Sequence, residues 1–194
     1  MNVEGDMMSK RYYHVVTERP MALNQVIVFD SEHQNGVANL VKRVNELKEN
    51  PSMSPADLAP FDQVLLDNMG HWINVANRAT MLEKVRKENF SDYPSRMACL
   101  YVSESLEEAE KWADFFIEVG RETFQIVALE NTGNSFTGDA HNCWYECLSE
   151  KEAVQRALHY WKVLKNDKNE TPVLETIIDG QIRVVEVIKD FKKG

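Results

Sequence analysis

A single carboxylate within an apolar strand is the residue of this sequence best suited to chemistry. The run from Pro172 to Ile178 reads Pro-Val-Leu-Glu-Thr-Ile-Ile and places Glu175 among residues of core type. Side chains alternate along a strand, so Val173 and Ile177 share the face of Glu175. Burying a carboxylate costs free energy unless it is paired or takes part in a site. We therefore predict a functional carboxylate, with a solvent-facing glutamate on an edge strand as the alternative.

Four further side chains offer binding chemistry, and each has an ordinary structural alternative. His14 follows two tyrosines in an apolar run and offers a donor and an acceptor, or is a core histidine with satisfied hydrogen bonds. Tyr101 offers an aromatic face suited to a planar cation, or is a core tyrosine. Ser103 lies two residues further on the same face. Arg96 has a guanidinium that matches phosphate geometry, or is a surface arginine.

The three cysteines do not form a metal-binding pattern. Cys143 and Cys147 have Cx3C spacing, but no second Cys/His pair stands nearby at metal-site spacing, and the Trp-Tyr pair between them suits a strand. We expect these two and Cys99 to be reduced, partly buried thiols, with no zinc. The sequence also contains no GxGxxG or GxxxxGK segment, which argues against Rossmann and P-loop nucleotide binding.

Length and charge restrict the class of protein. The 194 residues contain no internal repeat or long linker, so we expect one domain spanning residues 1–194. Acidic residues outnumber basic ones 31 to 22, which argues against sequence-blind nucleic-acid binding but allows a local basic groove. The first ten residues lack the apolar core of a signal peptide, and no run approaches the roughly 20 apolar residues of a membrane span. We expect a cytoplasmic protein.

The first half of the chain predicts two strands and a helical insertion. Short β-branched runs at Tyr12–Thr17 and Gln25–Phe29 are typical of strands, and we expect them to form a pair. Apolar residues then recur at helical spacing over 37–47 and again over 54–87, with an interruption near Gly70. These helices form an insert of about residues 36–88.

The second half alternates between strands and helices. Residues 97–103 and 124–129 predict strands, and the polar segment 131–142 predicts a loop. Two capping boxes open helices, one formed by Ser105 with Glu108 and the other by Ser149 with Glu152.

The last two β-rich runs, 172–178 and 181–188, flank Asp179-Gly180, which is a strong hairpin signal. Strands, helices and a closing hairpin in this order indicate an α+β fold with a mainly antiparallel sheet.

Three of these segments together resemble the ADP-ribosyltransferase superfamily. They are Tyr13-His14-Val15-Val16-Thr17, the strand from Arg96 to Ser103 with the helix that carries Trp112, and the run from Pro172 to Gly180. The resemblance is to the His-Tyr-Glu branch, which includes diphtheria-toxin-like and poly(ADP-ribose)-polymerase-like enzymes, and to small bacterial proteins of that fold. It covers about half the chain and implies an ADP-ribosyltransferase-like split antiparallel sheet with a helical insertion.

The resemblance also implies roles for the candidate residues, with NAD as the substrate and no metal. Glu175 would stabilise the positive charge that grows on the ribose as nicotinamide leaves, since preorganised electrostatics is usually the largest catalytic term. Tyr101 would stack on the nicotinamide, and His14 would hydrogen-bond a ribose hydroxyl. Ser103 would line the same pocket, and Arg96 would contact the pyrophosphate.

Two positions depart from the family pattern. Two valines, rather than one residue, separate His14 from Thr17, which puts Thr17 on the opposite strand face and argues against a cofactor contact. Arginine-modifying members carry Glu or Gln two residues before the catalytic Glu, where this chain has Val173. Modification of arginine is therefore disfavoured, and nucleobases and other targets remain.

The leading hypothesis is a glycosyltransferase that transfers ADP-ribose from NAD to a nucleic acid or a protein. Family resemblance further implies a toxin or phage-defence effector, with an antitoxin as a partner. One alternative is a catalytically inactive binding module of the same fold. The other is an RNA phosphotransferase, which needs additional basic residues in the pocket, and Arg96 is the single candidate for that role. The sequence does not identify the acceptor.

Overall fold

Two antiparallel sheets and five α-helices form a mixed α+β fold in the computed structural model, which describes residues 10–143, 149–166 and 170–191. The strands are β1 (Arg11–Val16), β2 (Val26–Phe29), β3 (Leu100–Val102), β4 (Gln125–Asn131), β5 (Ser135–Asp139), β6 (Leu174–Ile178) and β7 (Gly180–Asp190). The helices are α1 (Gly36–Glu49), α2 (Asp62–Asp67), α3 (Met69–Asn89), α4 (Leu106–Glu118) and α5 (Glu150–Trp161), with 3₁₀ turns at Pro55–Asp57 and Ala140–Cys143.

The larger sheet has the strand order β1-β4-β7-β2, and its neighbouring strands are antiparallel. Alternation along β1 divides its side chains between two cores. Tyr12 and Val16 pack with apolar residues of β4 and β7, whereas Val15 packs against Ala109 and Ala113 of α4. Both strands predicted in the first half of the chain therefore exist. They do not form a pair, because β1 and β2 lie at opposite edges of this sheet.

The smaller sheet has the strand order β3-β6-β5, and within the described residues one isolated bridge joins it to the larger sheet. Tyr13 and Ser103 exchange two backbone hydrogen bonds there, with N···O distances of 2.9 and 2.7 Å. Tyr101 of β3 lies opposite Ile177 of β6 in this register. The bridge brings the start of the chain beside β3 and so fixes the relative position of three predicted site segments.

The predicted hairpin at Asp179-Gly180 is wrong. β6 pairs with β3 and β5, and β7 pairs with β4 and β2, so the Asp-Gly dipeptide carries the chain from one sheet into the other. Gly180 has a φ of +76°, and a Cβ there would lie 2.8 Å from the Cα of Gly133. The positive φ of Gly180 would suit a hairpin turn, and it also suits this crossing between sheets. β6 and β7 each have two neighbouring strands in their own sheet and do not pair with each other.

The predicted loop over 131–142 is also wrong, because it contains β5. Gly, Asn, Thr and Asp dominate its composition, yet Phe136 fills the core and Thr137 hydrogen-bonds Thr176 across the sheet at 2.9 Å. A Cβ at Gly138 would lie 2.8 Å from the rings of both Phe136 and Tyr160. The glycine that weakens the strand signal is therefore required by close aromatic packing.

The predicted helices are present, but the segment predicted over 54–87 opens with a 3₁₀ turn and is helical in two parts, and one of the two predicted capping boxes is complete. α1 ends at Glu49, and the long segment after it is interrupted at Asn68, between α2 and α3. Ser149 forms the complete capping box with Glu152, whereas Ser105 accepts a hydrogen bond from the backbone N–H of Glu108. Within the described residues, no helix is both long and apolar enough to cross a bilayer.

Two of the three cysteines are described. Cys99 and Cys143 are buried, free thiols, as predicted. Burial raises the pKa of the Cys99 thiol to about 12. Cys147 and the predicted strand character of residues 144–148 lie outside the described residues.

Candidate functional site

A cleft of about 850 Å³ is lined by residues of both sheets together with α1 and α4. Small-molecule sites typically occupy roughly 300–1,000 Å³, so the cleft is large enough for a nucleotide-sized ligand. Four predicted site residues lie on its wall: His14, Tyr101, Ser103 and Glu175. They come from β1, from β3 and the residue that follows it, and from β6, which are separated by up to 161 positions along the chain.

His14 is held in one tautomer by the backbone of β3. Its Nδ1 lies 2.8 Å from the carbonyl oxygen of Tyr101, which can only accept, so Nδ1 carries the proton. Burial lowers the pKa of His14 to about 4 against the effect of this hydrogen bond, and the charge of Arg121 lowers it further. At neutral pH the ring is therefore uncharged, and Nε2 is an acceptor.

Tyr101 and Ser103 lie on one face of the β3 segment, as alternation predicts. Ser103 is buried and Tyr101 is half-buried. Burial raises the pKa of Tyr101 above its usual value, so the phenol remains protonated at neutral pH. Its ring centroid lies 5.4 Å from the guanidinium carbon of Arg96, within cation–π range. Tyr101 thus combines an aromatic wall for the cleft with a contact to the charge behind it.

Glu175 is anchored through one carboxylate oxygen. Oε1 accepts hydrogen bonds from Nη1 of Arg96 and from the Tyr160 hydroxyl, the second at 2.7 Å. The side chain is 15% exposed, which excludes the alternative of a solvent-facing glutamate. In the part of the chain that the structure describes, Oε2 has no hydrogen-bond partner. The carboxylate is therefore paired and also retains an acceptor beside the cleft.

Arg96 does not line the cleft. Its side chain is 14% exposed, and Nη1 also donates to the Tyr160 hydroxyl at 2.6 Å. The guanidinium carbon lies 4.9 Å from the Tyr160 ring centroid. The expected contact between Arg96 and a pyrophosphate has no support in this position, because the guanidinium is already engaged by Glu175 and two tyrosines.

Two arginines that the sequence reading did not single out do line the cleft. Arg19 follows β1, and Arg121 follows α4. Arg121 donates to the hydroxyl of Thr17 at 2.8 Å, and its guanidinium carbon lies 4.7 Å from the Phe116 ring centroid. Thr17 also lines the cleft, contrary to expectation, because β1 ends at Val16 and the alternation of the strand does not extend to it.

Aromatic side chains of α4 complete one wall. Trp112 and Phe116 line the cleft with ring centroids 5.7 Å apart, and both pack against the core of β1 and β4. The spacing of Leu106, Ala109, Trp112, Ala113 and Phe116 places both rings on the apolar face of this helix. The half-buried rings serve the core and the cleft together.

Tyr160 is a further site residue that the sequence reading missed. It belongs to the apolar stripe of α5, where its hydroxyl reaches Glu175 while its ring packs on Phe136. A helical stripe indicates burial but does not show where the polar end of a buried tyrosine points.

The family model described as "Protein of unknown function (DUF2441)" matches residues 12–190. No curated protein matches the sequence. The matched range includes both sheets except for Arg11, the first residue of β1, and all residues that line the cleft.

Proposed function

Because the chain belongs to the DUF2441 family, whose description names no activity, we propose its function from the cleft itself. The protein is an NAD-dependent ADP-ribosyltransferase that transfers ADP-ribose to a macromolecular acceptor, either a nucleic acid or a protein. The observation that carries this proposal is the presence of His14, Tyr101 and Glu175 on the wall of one cleft. The split pair of antiparallel sheets that positions them is, in this proposal, an ADP-ribosyltransferase-like fold.

The reaction requires little proton chemistry from the protein. The bond between nicotinamide and the ribose breaks, and its electron pair leaves with nicotinamide, which becomes neutral. A lone pair of the acceptor forms the new bond to the same ribose carbon, and the acceptor's proton passes to solvent. The demand on the site is to stabilise positive charge on the ribose, for which a fixed carboxylate is suited.

The described side chains meet this demand in distinct ways. Oε2 of Glu175 accepts a hydrogen bond from a ribose hydroxyl, and its negative charge opposes the positive charge of the transition state. Tyr101 stacks on the nicotinamide ring, and Nε2 of neutral His14 accepts from a second hydroxyl. Arg19 and Arg121 supply the positive charge that a pyrophosphate requires at the cleft.

The direct test is NAD consumption by wild type and by Glu175→Gln, which removes the charge and keeps the shape. We expect nicotinamide release in the wild type and a loss of about 10²–10³-fold in the variant, the range for removing one preorganised electrostatic group. The matched control is Glu186→Gln, an exposed glutamate of β7 paired with Arg11. Equal activity of Glu175→Gln and wild type would overturn the assignment of Glu175.

The acceptor is identified by labelling a lysate with NAD that carries a label on its adenylate. Removal of the label from macromolecules by nuclease assigns a nucleic acid, and removal by protease assigns a protein. NAD binding by calorimetry without any NAD loss would instead support the catalytically inactive binding module. Absence of both binding and loss would contradict the proposal as a whole.

A further inference from the structure

We propose that Arg96 is the positioning residue of this site, and that it works by holding Oε1 of Glu175 so that Oε2 faces the ligand. The inference rests on the proposed function and adds to it a residue that does not contact the substrate. The two carboxylate oxygens of Glu175 have different hydrogen-bond partners. Oε1 receives both Arg96 and Tyr160, and within the described residues Oε2 receives no hydrogen bond.

The guanidinium of Arg96 contacts one carboxylate and two aromatic rings among the described residues. In the described part of the chain, Glu175 is the carboxylate with which Arg96 forms an ion pair. The rings of Tyr101 and Tyr160 lie near its guanidinium, at 5.4 and 4.9 Å. A buried cation requires such compensation, because desolvation opposes its charge. The guanidinium is thus confined between two aromatic rings with its charge directed at Oε1.

Tyr160 closes a triangle of hydrogen bonds with the pair. Its hydroxyl accepts from Arg96 at 2.6 Å and donates to Oε1 at 2.7 Å. These two donors on Oε1, one of them charged, fix the rotation of the carboxyl group, and the Cys143 thiol makes a longer contact to the same oxygen, at 4.0 Å. Without these hydrogen bonds the carboxylate would adopt several rotamers and would not keep one orientation.

The backbone of Arg96 is fixed as well, by the helical insertion. Asn35, the N-cap of α1, donates its side-chain N–H to the carbonyl oxygens of Arg96 and Cys99, at 2.8 and 3.1 Å. Ser95 and Ala98 form a bridge on either side of Arg96, which closes the turn. The guanidinium is therefore held from both ends, as a group that orients another side chain must be.

The test compares Arg96→Gln with Arg96→Lys and Tyr160→Phe. We expect Arg96→Gln to lower kcat about 100-fold with little change in KM, because a misplaced reacting group can cost about 10²-fold in rate. Arg96→Lys, which keeps the charge, recovers part of that loss. Tyr160→Phe removes the hydroxyl that hydrogen-bonds both Arg96 and Glu175, and we expect it to lower kcat about 5-fold.

The pH profile distinguishes positioning from a merely structural role. Without the neighbouring cation a carboxylate takes up a proton at higher pH, so the acidic limb of the Arg96→Gln profile moves to higher pH than in wild type. It stays in place in Arg96→Lys. An unchanged limb and an unchanged kcat in Arg96→Gln would overturn the proposal.

A measurement without NAD separates this inference from the proposed function. Glutamate carboxyl carbons are labelled with ¹³C, and the resonance that disappears in Glu175→Gln is titrated in the free protein. A titration of that resonance at higher pH in Arg96→Gln than in wild type supports the anchoring, even if no NAD is consumed. If Arg96→Gln does not fold, the same titration in Tyr160→Phe decides, because that variant also removes a donor to the carboxylate. A titration at higher pH than in wild type supports the anchoring, and wild-type behaviour refutes it.

Discussion

The imidazole of His14 illustrates how a backbone contact sets the chemistry of a side chain. The carbonyl oxygen of Tyr101 accepts a hydrogen bond from the Nδ1–H group, and burial disfavours the charged ring. The result is a neutral acceptor on the cleft at physiological pH. Such a group can recognise a hydroxyl but cannot serve as a cation.

The depressed pKa of His14 predicts a pH dependence of stability. The folded value of about 4 lies below the usual 6.5, so the unfolded chain binds more protons between these values, and stability falls as pH drops through this window. Between pH 7 and 5 we expect His14 to contribute a loss of about 2 kcal/mol. The measurement is urea unfolding at both pH values.

His14→Gln provides the comparison, because its amide can still donate to the Tyr101 carbonyl but does not titrate. The pH-dependent loss should be about 2 kcal/mol smaller in this variant than in wild type. Identical losses in the two proteins would show that the imidazole does not remain neutral in the fold.

For individual residues, the sequence predicted which side chains are buried better than it predicted which side chains they contact. The apolar neighbours of Glu175 predicted a functional carboxylate rather than a solvent-facing one, and the side chain is largely buried and paired with Arg96, a partner that the sequence did not predict. The same sequence did not show that Arg96 points away from the cleft, because a single arginine carries no periodic signal. Tyr160 was missed for a related reason, since its helix supplies the position and a distant strand supplies the partner.

The crossing between β6 and β7 is the element on which both sheets depend. Asp179 secures it by accepting from the backbone N–H of Asn134 at 2.7 Å and by donating its own N–H to the carbonyl of Asn134 at 3.2 Å. Gly180 then passes close to Gly133 with a positive φ. The two glycines allow backbones of different sheets to approach closely.

Gly180→Ala should destabilise the protein by roughly 2–3 kcal/mol, because an L-residue is strained at positive φ and the added Cβ contacts the backbone of Gly133. The matched control is Gly70→Ala in α3, where a Cβ meets nothing within 4 Å. That change should stabilise by up to about 1 kcal/mol. Thermal and urea unfolding of both variants measure the difference, and a neutral Gly180→Ala would contradict the strain argument.

Elements were predictable where local signals agree with tertiary packing. α1 and α5 follow their apolar stripes and have capped first turns, and their bounds lie close to expectation. α3 ends at Asn89, close to the predicted end, and begins at Met69, beside the predicted interruption but without a side-chain cap. The predictions of a hairpin at Asp179-Gly180 and of a loop over 131–142 were wrong, because the pairing of a strand depends on residues that are distant in sequence. Gly138 and Gly180 have a turn-like composition but are selected by close packing.

At the scale of the whole molecule, Trp161 connects the helical insertion to the smaller sheet. Its indole N–H donates to the carbonyl of Leu82 in α3 at 2.9 Å, and its ring lies 4.8 Å from that of Phe136 in β5. The side chain is fully buried. One residue at the end of α5 therefore ties together α3 and β5, beside the Tyr160 that reaches Glu175.

Trp161→Phe should lower the free energy of unfolding by roughly 1–3 kcal/mol, because it leaves a cavity and removes the hydrogen bond to Leu82. Urea unfolding followed by circular dichroism measures the change. Trp72→Phe in α3 is the control, since Trp72 is only half-buried and should change stability less. An equal effect of the two substitutions would show that Trp161 does not connect these parts.

The strand order has a consequence for synthesis. β6 is the central strand of one sheet, and β7 lies between β4 and β2 in the other. The strands β2, β3 and β5 therefore pair only with strands that are synthesised after them. A nascent polypeptide that has emerged only as far as β5 holds β1 against β4, but neither complete sheet. The cleft, whose wall includes Glu175 of β6, is therefore complete only after β6 and β7 have been synthesised, and no fragment of the growing chain that ends before β6 contains the whole proposed site.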